Sequence, residues 1–122
     1  MTNGNLWGLK IDEFFSEPNS MPLGADESSP FSLVELGDVS GLSGADLEGL
    51  SNARGVTLLQ RPEDGAWDTI LPNRYYFVTT ANTTVTGAIG DQSRLWAVDF
   101  VDARDPTKGG TVHLLINGLG PR

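Results

Sequence analysis

The sequence predicts a mostly β domain: an antiparallel four-stranded β-meander with one short helix. Three observations carry this. Fifteen glycines and seven prolines are spread through 122 residues, which favours turns over long helices. From Val56 onward, short runs rich in branched and aromatic residues alternate with turn clusters. Only one stretch, Ser40 to Gly55, carries helical spacing.

The elements follow in order. Leu6 to Phe15 alternates in part between apolar and polar residues, as a half-buried strand does. Ser16 to Pro30 holds three prolines with serine, asparagine and glycine, and reads as a loop or linker. Phe31 to Leu36 reads as a short strand or as the anchor of that loop. In the helical stretch Ser43 is the N-cap and Asp46 sits three residues on, where a carboxylate suits the free N–H groups of the first turn. Leu47 and Leu50 share a face, and Gly55 supplies the left-handed residue that ends a helix. Gly44 and Gly49 weaken it. The expected strands are Val56–Gln60, Arg74–Thr80, Arg94–Val101 and Gly110–Ile116. The turns between them are Glu63-Asp64-Gly65, Pro72-Asn73, 86–91 and Asp105 to Gly110. The chain thus divides into a loop-rich segment, 1–55, and a meander, 56–122. Four antiparallel strands in a meander form the unit of a β-propeller blade.

Charge and composition exclude several classes. The formal net charge is −8, and no basic stripe is present, which argues against nucleic-acid binding. Carboxylates in this excess suit cations such as calcium, or simply a solvated acidic surface. There is no cysteine, hence no disulfide, thiolate nucleophile or cysteine-held zinc. His113 is the sole histidine, and a structural role suits it best. No apolar run approaches the ~18 residues needed to span a bilayer. The N-terminal MTNGNLWGLK shows no signal peptide.

The densest group of functional side chains is Arg61-Pro62-Glu63-Asp64-Gly65-Ala66-Trp67-Asp68. One reading makes Glu63 a metal ligand or general acid–base group, with Asp64 beside it and Arg61 binding an anion through its planar fork. The other is a plain β-turn, in which Asp64 bonds its own backbone and Arg61 pairs with a neighbouring carboxylate. Trp67, Trp96 and Trp7 read as packed rings.

These residues also carry a family resemblance. Leu6-Trp7-Gly8-Leu9-Lys10-Ile11-Asp12, Leu36-Gly37-Asp38-Val39-Ser40-Gly41, the Arg61 to Asp68 run, Tyr76-Phe77-Val78-Thr79-Thr80 and Arg94-Leu95-Trp96, in that order, resemble the PhoX-type bacterial alkaline phosphatases. Those proteins are large secreted β-propellers related in shape to propeller phytases. The resemblance implies a metal-dependent phosphomonoesterase with a calcium and iron centre. It places Glu63 and Asp64 as metal ligands and Arg61 at the catalytic site, facing the phosphate of a monoester or another small anion. It implies a periplasmic or extracellular location. It also implies that this chain is about one blade of such a propeller, inactive alone, completed by missing blades or by homo-oligomers. The alternative is a non-enzymatic β module that self-assembles or binds another chain, since a lone sheet has open edges.

Overall fold

In a computed structural model, which describes residues 4–17, 27–80 and 93–118, the chain is mostly β with one α-helix. Six strands form one antiparallel sheet, not four: β1 (Leu6–Ile11), β2 (Ser28–Gly37), β3 (Pro62–Trp67), β4 (Arg74–Thr79), β5 (Arg94–Phe100) and β6 (Gly110–Asn117). Their spatial order is β1-β2-β6-β5-β4-β3, and the sheet curls into a half-barrel.

The meander from β3 to β6 contains three of the four expected strands. The fourth, Val56–Gln60, is not a strand. It crosses between the two ends of the sheet and forms a single parallel bridge, Leu58 with Ser16. Its hydrogen bonds go elsewhere: Thr57 N to Leu9 O at 2.8 Å, Leu58 N to Phe15 O at 2.8 Å, and Thr80 N to Gln60 O at 3.1 Å. Thr57 Oγ1 also accepts from Ile11 N at 2.8 Å. A branched run has the composition of a strand, but here it serves as a tie that draws β1 toward the start of β3.

The supposed turn at Glu63-Asp64-Gly65 is part of strand β3. The β3–β4 register shifts between Pro62 and Gly65, so Glu63 and Asp64 are taken up by a bulge-like irregularity. An edge strand tolerates Pro62 because no neighbour needs its missing N–H. Gly65 lies so close to the Tyr75 ring and the Tyr76 carbonyl that a Cβ there would collide with both.

The N-terminal segment belongs to the same sheet. β1 pairs with β2 over Leu6–Ile11, and β2 pairs with β6 from Ser28↔His113 to Phe31↔Gly110. Part of the stretch read as a loop, Ser28–Pro30, is therefore strand, while 18–26 and the turn at 86–91 lie outside the described residues. The helix α1 (Gly44–Ala53) matches expectation: Ser43 Oγ accepts from Asp46 N at 3.1 Å, and Gly55 follows with φ 76°. None of its residues is buried. Among the described residues no helix is long and apolar enough to cross a membrane.

The core fills the concave face. Ile11, Phe14, Phe31, Phe77, Trp96, Val98, Val112 and Leu114 are all buried and in contact. Alternation places them: Phe77 pairs with Trp96, Trp96 with Leu114, and Val98 with Val112, so their side chains share one face. Phe77 stacks on Trp96, with centroids 6.1 Å apart and planes at 9°. Trp96 is wholly buried, as expected of a packed ring. Trp67 is not: it is 53% exposed at the sheet edge, touching only Tyr75 and Phe100 among the aromatics. Trp7 is also partly exposed.

Two glycines should respond oppositely to alanine. At Gly49, inside α1, a Cβ meets open space, so Gly49→Ala should stabilise by about 0.5–1 kcal/mol. At Gly110 a Cβ would overlap the Asp99 carbonyl across the β5–β6 pair, so Gly110→Ala should cost about 1–3 kcal/mol. Urea unfolding midpoints of the two variants check both signs.

Candidate functional site

Three polar constellations stand out: one inside the half-barrel, one on its outer face and one along the β3 edge.

The first was not visible in the sequence. Arg94 Nη1 meets Glu17 Oε2 at 2.6 Å, with side chains 1% and 0% exposed. Glu17 Oε2 also accepts from Thr79 Oγ1 at 3.0 Å, and Oε1 accepts from Gln60 N at 3.0 Å. Arg94 Nε donates to Asn117 Oδ1 at 3.1 Å, and Trp96 Nε1 donates to Thr79 Oγ1 at 3.0 Å. No buried side-chain nitrogen or oxygen among the described residues lacks a partner. Such a pair is tolerated because every lone pair and proton is satisfied. It is sealed from substrate, and its role is structural. One signal was available: Arg94 alternates with Trp96 and Val98 and so falls on the core face. Glu17 gave none, because it lies in a stretch with loop composition, 77 positions away.

The second lies on the convex face. Arg74 grips Asp99 with both ends of its fork, Nε to Oδ1 at 2.6 Å and Nη2 to Oδ2 at 2.7 Å. His113 Nε2 stands 2.9 Å from Asp99 Oδ2, so the histidine does have a structural partner. Next to them the Tyr76 hydroxyl donates to Asp68 Oδ2, while Asp68 Oδ1 accepts from Ile70 N at 2.7 Å and Leu71 N at 2.8 Å. The backbone N–H of Leu71, the Tyr76 hydroxyl and the N–H of Ile70 together hold the Asp68 carboxyl down at about 2. Arg74 lowers Asp99, and Asp68 raises the Tyr76 phenol. Each carboxylate here is consumed by its neighbours, so the group acts as a cross-strand lock.

The third contains the sequence-predicted residues. Arg61 Nη2 and Glu63 Oε1 stand 3.8 Å apart, with side chains 59% and 49% exposed. Arg61 has φ 44°, in the left-handed region. Thr80 Oγ1 reaches both residues, with Arg61 O at 3.3 Å and Glu63 Oε1 at 3.1 Å. Asp64 is separate from this contact. It lines an open, nearly wholly apolar depression of about 250 Å³ with Gly65, Ala66, Tyr76, Phe77, Val78 and Leu95. Arg61 and Glu63 are thus brought together, and Asp64 lies apart from that contact, beside Ala66 at the depression. Among the described residues no three His, Asp or Glu side chains cluster closely enough to hold a metal ion.

The β3 strand is exposed at every position. Asp68 N donates to Arg74 O at 2.9 Å, which makes that pair hydrogen-bonded. Antiparallel pairs alternate, so Ala66↔Tyr76 is bonded as well, while Trp67↔Tyr75 and Gly65↔Phe77 are the non-bonded pairs. The N–H and C=O groups of Gly65 and Trp67 therefore point away from the sheet. The opposite edge differs: on β1, Leu9 O and Ile11 N are both occupied by Thr57.

Comparison with protein-family models, with curated proteins and with solved structures finds no match to this chain.

Breaking the buried pair should be severe. Arg94→Ala and Glu17→Ala should each cost about 3–5 kcal/mol by leaving an uncompensated buried charge, whereas the double replacement Arg94→Met with Glu17→Leu should recover much of that loss. Denaturant unfolding of the three variants measures this.

The convex-face carboxylates set a direction for pH. A carboxyl held at about 2 when folded, against ~3.9 unfolded, adds stability above pH ~4 that is lost as pH falls through about 2. Asp99 is shifted the same way. Urea midpoints should fall steadily on acidification from about pH 5 to about pH 2, and Asp68→Asn should flatten that slope.

Proposed function

We propose that this chain is a non-enzymatic β module that binds another polypeptide along the β3 edge. The observation that supports this reading is the pair of outward-facing backbones at Gly65 and Trp67, on an edge strand exposed throughout. Main-chain groups in that position template an added strand. The neighbouring surface fits, since Trp67 leaves half its ring uncovered on one face and the apolar depression opens on the other. The two carboxylate networks that elsewhere suggest acid–base chemistry are saturated by their own partners.

A second reading is the metal-dependent phosphomonoesterase of the PhoX type, working outside the cytoplasm. It is supported by the sequence resemblance and by the proximity of Arg61 to Glu63 on exposed chain. In that reading Glu63 and Asp64 contribute to a calcium or iron centre whose other ligands lie beyond the described residues, and Arg61 meets the phosphate.

Amide hydrogen exchange and a phosphatase assay separate the two. The first reading expects fast exchange at Gly65 and Trp67 and protection at Ala66 and Asp68, with no hydrolysis of a chromogenic monoester in calcium. Protection at Gly65 and Trp67 in the isolated chain would remove it. Hydrolysis that depends on calcium and is lost in Glu63→Gln would establish the second reading instead.

A further inference from the structure

We infer that the occupant of the β3 edge is an extended basic peptide, with lysine or arginine alternating with apolar residues. This rests on the edge-binding reading and adds the chemistry of the partner.

The alternation is set by the strand itself. Gly65 and Trp67 present the hydrogen-bonding groups, so an added strand forms its bonded pairs with them and a non-bonded pair with Ala66. Side chains directly opposite one another lie on the same face. The partner residue opposite Ala66 therefore stands over the convex face, above the depression floored by Ala66, Val78 and Leu95 and rimmed by Asp64. An apolar floor suits a long aliphatic stem, and the exposed acidic residue Asp64 beside it suits the cation that ends that stem. The residues two positions away on either side fall opposite Asp64 and Asp68. Asp68 is on this face too, since it accepts from Tyr76 and Tyr76 pairs with Ala66; with its oxygens already bonded to Tyr76, Ile70 and Leu71 it adds only its negative charge. The partner residues opposite Gly65 and Trp67 lie on the concave face, where the exposed part of the Trp67 ring offers apolar contact.

Charge also decides against a second copy of this chain. A two-fold pairing of β3 centred on Ala66 would set Asp64 of one copy opposite Asp68 of the other, on a chain already at −8. Like charges directly opposed across strands are destabilising. The bulge, Pro62 and Glu63 guard the first half of the strand against indiscriminate pairing. That leaves Gly65–Trp67 as a short, sequence-selective landing.

The test uses a capped, fluorescently labelled pentapeptide, Lys-Val-Lys-Val-Lys, titrated against the whole chain by anisotropy at low salt. It should bind, slow amide exchange at Gly65 and Trp67, and weaken as salt rises. Replacing the lysines by glutamates should weaken binding by about tenfold or more, and Asp64→Asn should weaken the lysine peptide by about threefold. N-methylation of the two valines, whose N–H groups face the edge, should abolish binding. If the glutamate peptide binds equally well while N-methylation still blocks it, edge binding stands and the basic partner is overturned. If the N-methylated peptide binds as well as the parent, or none of the peptides bind, edge binding itself falls. A dimer by light scattering, with Gly65 and Trp67 protected, would make the occupant a second copy and overturn the inference.

Discussion

The interaction on which the architecture depends is the buried contact between Glu17 and Arg94. It joins a residue beyond β1 to the first residue of β5, and through Gln60, Thr79, Trp96 and Asn117 it touches the tie segment and strands β4, β5 and β6. A sheet can bend to many curvatures while keeping its hydrogen bonds. A bidentate-capable cation and a carboxylate in the dry interior accept very few geometries, because each unsatisfied atom there is costly. The network therefore selects one curl of the half-barrel from the range that apolar packing alone would permit.

That selection explains the unusual use of Val56–Gln60. The segment donates backbone hydrogen bonds to Leu9 O and Phe15 O and accepts one from Thr80 N, and Gln60 N donates to Glu17 itself. Thr57, also buried, replaces a neighbouring strand for Ile11 by offering its hydroxyl. One sheet edge is tied by these few contacts, and among the described residues the other, at β3, has no strand beside it. The asymmetry between the two edges follows directly from where the tie lands.

Much of this was legible in the sequence, and the misses have definite causes. Runs rich in branched and aromatic residues at Arg74–Thr80 and Arg94–Val101 located two inner strands, and the Ser43 cap and Gly55 bounded the helix. Pro62 and Gly65 marked a turn by composition, but at a sheet edge neither residue is penalised, so tertiary context reversed their meaning. Ser28–Pro30 looked like loop, yet Pro30 sits in β2 opposite Thr111 at a non-bonded position, so its missing N–H faces the β1 side just where β1 has ended at Ile11. The Arg61, Glu63 and Asp64 group was found as a cluster, but the pattern did not show that the chain would run on as strand there and leave Asp64 out of the Arg61–Glu63 contact. The Glu17–Arg94 pair joins positions too far apart for any local pattern to connect them.

The strand order has a consequence for how the molecule is made. β2 is flanked by β1, its neighbour in sequence, and by β6, the most distant strand in the chain. During synthesis the β1–β2 hairpin thus emerges long before its second partner, and an isolated hairpin is at best marginally stable in water. Loop closure over that span must be completed before the non-local pairing yields any gain, which slows folding. Until β6 arrives, the ribosome-bound chain exposes Phe31 and Ile11 to whatever else is nearby. That interval is when chaperone capture or aggregation competes most strongly with folding.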